Sequence, residues 1–269
     1  MRRSRAATAS KWSSPILPGS YLIELNHKTV FLKNLPAAFE DLTITQLSDL
    51  HFGVYTGAQT LRACVGLANR LGSDLVALTG DYISHSVKHI RACAEMLAQL
   101  RAPLGVFAVL GNHDHWNGAE TVASHLERAG IQVLRNRNHV WRRDGGSVAL
   151  AGIDDLWSGK SDLTAALRGL DDDSVRVLLS HNPDVFEKPA ARHFDLVLSG
   201  HTHGGQIVLP LIGPAVVPSR YGRKYLAGLI TDGQRHIHIN RGIGATNPPF
   251  RFRCPAEITV LHLKSGPRP

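Results

Sequence analysis

Five short polar strings punctuate the chain: Asp49-Leu50-His51, Gly80-Asp81, Gly111-Asn112-His113-Asp114, Ser180-His181-Asn182 and Gly200-His201-Thr202-His203. Together they offer aspartate, asparagine and histidine donors without a thiolate. That mixture suits Mn²⁺, Fe²⁺, Zn²⁺ and similar ions rather than Ca²⁺, which prefers oxygen alone. A two-metal site, with ions about 3.5–4 Å apart, needs a bridging carboxylate and ligands on both sides. Asp81, central in the order of the strings, is the natural bridge. Each string alone also has a bland reading. Asp-x-His can close a strand, Gly-Asp is a common turn dipeptide, and Gly-Asn-His-Asp has the composition of a turn. The stretch 199–205 is sharper, because two histidines among three glycines have little packing purpose. Five such strings in one chain point to one shared site.

Each string follows an apolar run of strand length. LTITQL (42–47), LVALTG (75–80) and GVFAVLGN (105–112) read as strands. They alternate with helical spacing in LRACVGLANRL (61–71), IRACAEMLAQL (90–100) and AETVASHLERAG, with Gly130 as the closing cap. This alternation predicts an α/β domain with largely parallel pairing. In such a sheet the carboxyl ends of the strands converge on one crevice, which is where ligands bind. The second half is richer in strands: SVALAGI (147–153), VRVLLS (175–180), FDLVLSG (194–200), QIVLP (206–210), HIHIN (236–240) and EITVLHL (257–263). Two sheets packed face to face with helices outside would account for both halves. No internal repeat or linker divides the chain. Residues 1–20, rich in Ser, Ala and Arg, read as a flexible basic arm, and 21–269 as a single domain.

The 269 residues, 43% hydrophobic and 19% charged, describe a globular chain able to bury a sizeable core. A net charge of +8 favours an anionic partner without choosing among phosphorylated substrate, nucleic acid and acidic membrane. Cys64, Cys93 and Cys254 are too far apart for a zinc knuckle or a disulfide framework, and read as buried free thiols. No stretch approaches the roughly 18 apolar residues of a membrane span. The arginines at positions 2, 3 and 5 are not followed by the apolar segment of a signal peptide. A cytoplasmic location is expected, with the basic arm able to touch the inner membrane face.

The full set of strings resembles the calcineurin-like metallophosphoesterases. SHNPDVF, SGHTHGGQIVLP and RGIGATNPPFRFRCPAEITVLHL are similar to a bacterial phosphodiesterase subgroup of that family, which includes members like UDP-2,3-diacylglucosamine pyrophosphatase. The resemblance implies a four-layer α/β/β/α sandwich of two mixed sheets flanked by helices, and two divalent ions, Mn²⁺ foremost with Fe, Zn or Mg as alternatives. It implies that Asp49, His51 and His203 hold one ion, that Asn112, His181 and His201 hold the other, and that Asp81 bridges them. His113 would face the phosphate as general acid or transition-state stabiliser, with Asp114 orienting its ring by a hydrogen bond. Hydrolysis would proceed by in-line attack of a metal-held hydroxide.

Asn182, Arg220, Arg223 and Arg251 are the candidate substrate-binding groups. The segment 207–218, apolar and interrupted by Gly and Pro, is either a buried strand with its loop or an apolar rim for acyl chains or a membrane surface. The expected substrate is a phosphodiester or pyrophosphate, lipid- or nucleotide-linked, with UDP-2,3-diacylglucosamine as an example. Two other readings are a nuclease and a non-catalytic metal-binding scaffold. Against the first stands the lack of interleaved aromatic and basic residues; against the second, the completeness of the ligand set. The remaining histidines, among them His27, His85, His115 and His236, are expected at the surface or in satisfied polar positions.

Overall fold

The computed structural model describes residues 10–12 and 23–266. Apart from the strand at 10–12, the expected basic arm lies outside the described residues.

The first sheet takes its strands from both ends of the described chain. It contains β1 (Ser10–Trp12), β2 (Ile23–Leu32), β3 (Thr43–Leu47), β4 (Leu75–Leu78), β5 (Val106–Ala108) and β6 (Gln132–Val133), together with β15 (Ala256–Ser265). The order is β1-β2-β15-β3-β4-β5-β6. β3 to β6 are parallel. β15 runs parallel to β2 and antiparallel to β3, which separates them. Three helices form its crossovers: α1 (Ala58–Leu71), α2 (Ile90–Leu97) and α3 (Asn112–Arg128). Their spacing puts Leu61, Cys64, Val65 and Ala68 of α1, with Cys93 and Leu97 of α2, in one core against the outer face of the sheet. The carbonyl ends of α1 and α3 are closed by left-handed Gly72 and Gly130, as glycines after a last turn do.

The second sheet is built from β7 (Arg137–Arg143), β8 (Gly146–Gly152), β9 (Val175–Leu179), β10 (Leu196–Ser199), β13 (Gly228–Asp232) and β14 (Arg235–Ile239). Its order is β13-β14-β10-β9-β8-β7, with parallel pairing in the middle and antiparallel strands at both edges. The inward faces of the two sheets share a core in which Ile44, Leu75 and Phe107 meet Val148, Val177 and Leu198. Beyond the second sheet lies a thinner layer with the short α4 (Leu163–Leu167) and several 3-10 turns, packed through Ala166, Phe186, Phe194 and Tyr225. The architecture is the expected four-layer α/β/β/α sandwich of two mixed sheets.

Two local expectations differ from the structure. Gly-Asn-His-Asp is not a free-standing turn. It begins α3 itself, which starts at Asn112 and bends at Gly118, where φ is 115°. QIVLP contributes only β11 (Val208–Leu209), half of a small hairpin with β12 (Gly213–Pro214). His236 and His238 are both buried and take the second of the two expected settings, satisfied polar positions. They are satisfied, His236 by Thr231 Oγ1 and the Phe31 carbonyl, and His238 by Gln46 Oε1 at 2.7 Å. The three cysteines are free and buried, as their spacing suggests. Among the described residues no helix is long and apolar enough to cross a membrane.

Candidate metal centre

The polar strings lie where parallel strands end and the chain turns away. Asp49 and His51 follow β3, Asp81 follows β4, Asn112 and His113 open α3 after β5, His181 follows β9, and His201 and His203 follow β10. The strand ends of both sheets therefore meet in one cleft. Five of these residues have left-handed backbones: Asp49 (φ 50°), His51 (45°), Asp81 (58°), His201 (73°) and His203 (53°). Such conformations cost energy for side chains other than glycine and persist where the surroundings fix them. Backbone bonds do so here. Asp49 N–H donates to the Gly80 carbonyl, His51 N–H to that of Asp81, and Gly244 N–H to that of Asp49. Close approach is the other constraint. A Cβ at Gly111 would overlap the Asp81 carboxylate, and one at Gly200 would overlap Ser48 and Asp49.

The donor atoms gather in two groups. In the first, His203 Nε2 lies 3.2 Å from Asp49 Oδ1 and 3.1 Å from His51 Nε2. In the second, His181 Nε2 lies 3.1 Å from Asn112 Oδ1 and 3.2 Å from His201 Nδ1. Asp81 Oδ2 faces both, 3.5 Å from His51 Nε2 and 3.2 Å from His181 Nε2. All seven side chains are buried. Imidazole nitrogens that face one another, with carboxylate and amide oxygens beside them, suit cations and disfavour an apolar filling. The buried Nε2 of His201 also has no hydrogen-bond partner. The residues present fit a pair of divalent ions.

The electrostatics of Asp49, Asp81, His51 and His201 agree with ligand roles, whereas the Asp81 carboxylate, against the effect of burial, holds His181 well above the usual imidazole range in the metal-free site. Burial would raise the Asp49 carboxyl, but the charge and hydrogen bond of His203 hold it below the usual carboxylate range. Burial acts on Asp81 in the same way, and His181 overrides it. Burial pushes His51 well down and His201 down to about 3, leaving their lone pairs free. The outer ring nitrogens are tethered: His51 Nδ1 to Ser84 Oγ at 2.8 Å and His181 Nδ1 to the Thr79 carbonyl at 2.8 Å. Such outer bonds fix ring orientation and tautomer in metal sites.

His113 stands beside this group. Its ring packs edge-on against His51, and its Nδ1 is 3.2 Å from the Ser84 carbonyl. The expected bond from Asp114 to this ring is not made. The Asp114 carboxylate accepts instead from the backbone N–H groups of Asp81, Tyr82 and Gly111, at 2.8 to 2.9 Å. It straps the turn after β4 to the first turn of α3. The reason is geometric, since a carboxylate at the third helical position folds back onto its own N-terminus. Burial and the neighbouring Asp81 charge push Asp114 up to about 8.

The four expected substrate-binding residues are not brought to the cleft lining. Asn182 is buried and caps the 3-10 turn Pro183–Glu187, its Oδ1 accepting from Asp184 N–H. Arg251 donates to the carbonyls of Gly244, Arg241, His203 and Cys254, and so clamps the loop that carries His203. Arg223 donates to the Ile212 carbonyl at 2.6 Å, and Arg220 is exposed beyond the hairpin. The cleft, of about 260 Å³, instead has apolar walls. On one side, Trp116 packs on His113 and Trp157 on His201, their centroids 4.8 and 4.5 Å from those rings. Asp155 accepts from Trp157 N–H and so caps the turn that carries it. On the other side stand Ile207, Ala215, Val216, Pro218 and Pro248. Ser84 and Asp155 escape sequence reasoning, and Arg251 enters it as a substrate ligand rather than a clamp, because the contacts that give these residues their places follow no sequence spacing.

Residues 42–205 match the calcineurin-like phosphoesterase family, and the chain belongs to it: it is a hydrolase acting on phosphoric ester bonds. Among relatives, it is 37% identical over 249 residues to the uncharacterized metallophosphoesterase YkuE of Bacillus subtilis, spanning 91% of this chain and 87% of that one. It is 33% identical over 243 residues to phosphodiesterase YaeI of Escherichia coli, spanning 89% and 87%. The NAD nucleotidase NadN of Haemophilus influenzae matches with a TM-score of 0.50 at 16% identity, over 75% of this chain and 50% of that one, a likeness of fold alone.

Proposed function

We propose that this protein hydrolyses a phosphodiester or pyrophosphate bond at two divalent ions, Mn²⁺ foremost, in a substrate with an apolar or lipid-linked moiety such as UDP-2,3-diacylglucosamine. The observation that carries the reading is the position of Asp81 Oδ2, within 3.5 Å of a donor nitrogen in each ligand group. Asp49, His51 and His203 would hold one ion, and Asn112, His181 and His201 the other, with Asp81 placed to serve both. When bound, such a pair supplies a water of lowered pKa and offsets charge on the phosphoryl oxygens.

The rest falls to the chain's own groups. His113 Nδ1–H donates to the Ser84 carbonyl, which turns Nε2 to the cleft; in the imidazolium form Nε2–H gives its proton to the leaving oxygen and leaves a neutral ring that keeps Nδ1–H. Asp114 holds the two segments carrying Asp81 and His113 in register. Trp116 and Trp157, with Ile207, Ala215, Val216 and Pro218 opposite, keep bulk water from the reacting phosphoryl group and receive apolar parts of the substrate. A 260 Å³ cleft takes a phosphoryl group and a small flanking group, so larger substituents lie across the rim.

The test is hydrolysis by metal-stripped protein before and after Mn²⁺ is restored. Bis-p-nitrophenyl phosphate, p-nitrophenyl phosphate and UDP-2,3-diacylglucosamine serve as substrates, with Asp81→Ala as control. Restored diester cleavage that Asp81→Ala abolishes is expected. Preference for the monoester would overturn the diester assignment, and equal activity in Asp81→Ala would overturn the bridge.

A further inference from the structure

Ten large apolar side chains are exposed among the described residues, and six of them fall on two segments: Leu209, Leu211, Ile212, Val216, Phe250 and Phe252. The segments are neighbours, because Val208 N–H donates to the Phe252 carbonyl and Phe252 N–H to that of Gln206. The β11–β12 hairpin and the 250–252 stretch therefore form one surface. Leu211 at its tip is the sharpest signal. Its side chain is fully exposed (108%), and its backbone is left-handed at φ 65°. A leucine in that conformation is strained, and among the described residues none covers its side chain.

The charge around this surface has one sign. Segments 206–231 and 240–255 contain six arginine and lysine residues and no aspartate or glutamate; Arg241 is paired with Glu24 and Glu257 and Arg251 is committed to backbone carbonyls, so the surface charge rests on Arg220, Arg223 and Arg253. Arg223 lies directly against the hairpin, its guanidinium on the Ile212 carbonyl, and Arg220 and Arg253 are exposed nearby. Lys224 is paired with Glu187 and is not counted on. Apolar side chains that protrude beside cations suit an interface with anionic head groups above and acyl chains below.

We infer that this face docks on an anionic lipid surface and that the hairpin inserts its tip there. The same hairpin segment forms a wall of the cleft through Ile207, Ala215, Val216 and Pro218, so the docked face and the cleft mouth are continuous. A protein seated on this rim would close the cleft. A membrane would present phosphate esters to it, with their acyl chains left in the bilayer. The docking stands on the surface alone, while the delivery of substrate rests on the phosphoesterase reading above.

Flotation of the Mn²⁺-loaded protein tests the inference, with vesicles of phosphatidylcholine alone and of an equimolar mixture with phosphatidylglycerol. Leu211→Asn/Ile212→Asn is the comparison variant. Asparagine tolerates the left-handed backbone, and neither residue lines the cleft. The wild type is expected to float with the mixed vesicles and to sediment with the neutral ones. The variant should partition at least about tenfold less while cleaving bis-p-nitrophenyl phosphate in buffer at the wild-type rate. Equal partitioning of variant and wild type, or none by the wild type, would overturn the inference. So would a wild-type dimer in light scattering that the variant abolishes, since the patch would then be a contact between copies. Absence of diester cleavage in buffer fails the phosphoesterase reading instead, whatever the vesicles show.

Discussion

Leu211 on the rim of the cleft and His201 on its floor share a left-handed backbone, at φ 65° and 73°. Their surroundings differ completely. His201 is buried, and its N–H donates to both oxygens of Asp49 at 3.1 Å. Leu211 projects into solvent. On the floor, strained residues are held by bonds from several strands, and chemistry dictates each residue type. On the rim, strain holds out an apolar side chain, and the only demand is that it be apolar. The floor is thus built to place atoms to within tenths of an ångström, and the rim to make a surface. On the proposed function, residues of the first kind would govern turnover, and those of the second would govern which substrates arrive.

The most direct test of that division is His113→Ala. Loss of the proton donor should lower kcat by about 10²–10⁴-fold with both metals retained, measured by steady-state assay beside metal analysis. A floor variant with unimpaired turnover would break the comparison. Arg251→Met follows, because its effect passes through the clamp on the His203 loop. Mn²⁺ affinity by titration should weaken by about 10–100-fold, as with other groups that orient ligands. An unchanged affinity would show that the loop holds its place without the arginine.

A third test concerns the layer beneath the floor. Gln46 accepts from His238 Nδ1 and donates to Thr79 Oγ1 and the Ser199 carbonyl, joining strand ends of both sheets. Burial pushes His238 down to about 4. The fold therefore favours the neutral ring, and the unfolded chain takes up the proton first. This contribution is complete above pH 6.5 and is lost as the pH falls from there towards 4. By pH 5 the wild type should have lost on the order of 2 kcal/mol more than His238→Asn, measured by denaturant unfolding of metal-free protein at pH 7 and pH 5. Parallel losses in the two proteins would remove His238 from the account. The smallest effect belongs to the wall. Trp157→Ala should raise KM for bis-p-nitrophenyl phosphate by about fivefold with kcat nearly unchanged, since a lost aromatic contact weakens substrate and transition state alike. A kcat loss comparable with that of His113→Ala would erase the distinction between wall and floor.

The same division explains what could be read from the sequence. The floor was legible because metal ligation restricts residue types, and Asp49, Asp81, Asn112 and the four histidines stand in short strings at strand ends. The sandwich was legible through the alternation of apolar runs with helical spacing. The ring bond of Asp114 was implied by the family resemblance alone, whereas its helix turns the carboxylate back to three backbone N–H groups. Arg251 looked like a phosphate ligand because its charge is visible in the sequence and its carbonyl partners are not. The rim was half legible: apolarity marks 207–218, but only the fold distinguishes a buried strand from an exposed hairpin.

The place of β15 governs when the site can exist at all. Its residue Ala256 pairs with Ile23, and the strand keeps β2 and β3 apart. Just before it, Ile243 and Gly244 bond to the carbonyls of Ser48 and Asp49. During translation every ligand up to His203 has therefore been synthesised before the strand that frames the first of them. A nascent chain stalled near residue 230 would carry all seven donors but lack the strand that pairs with β3 ahead of Asp49.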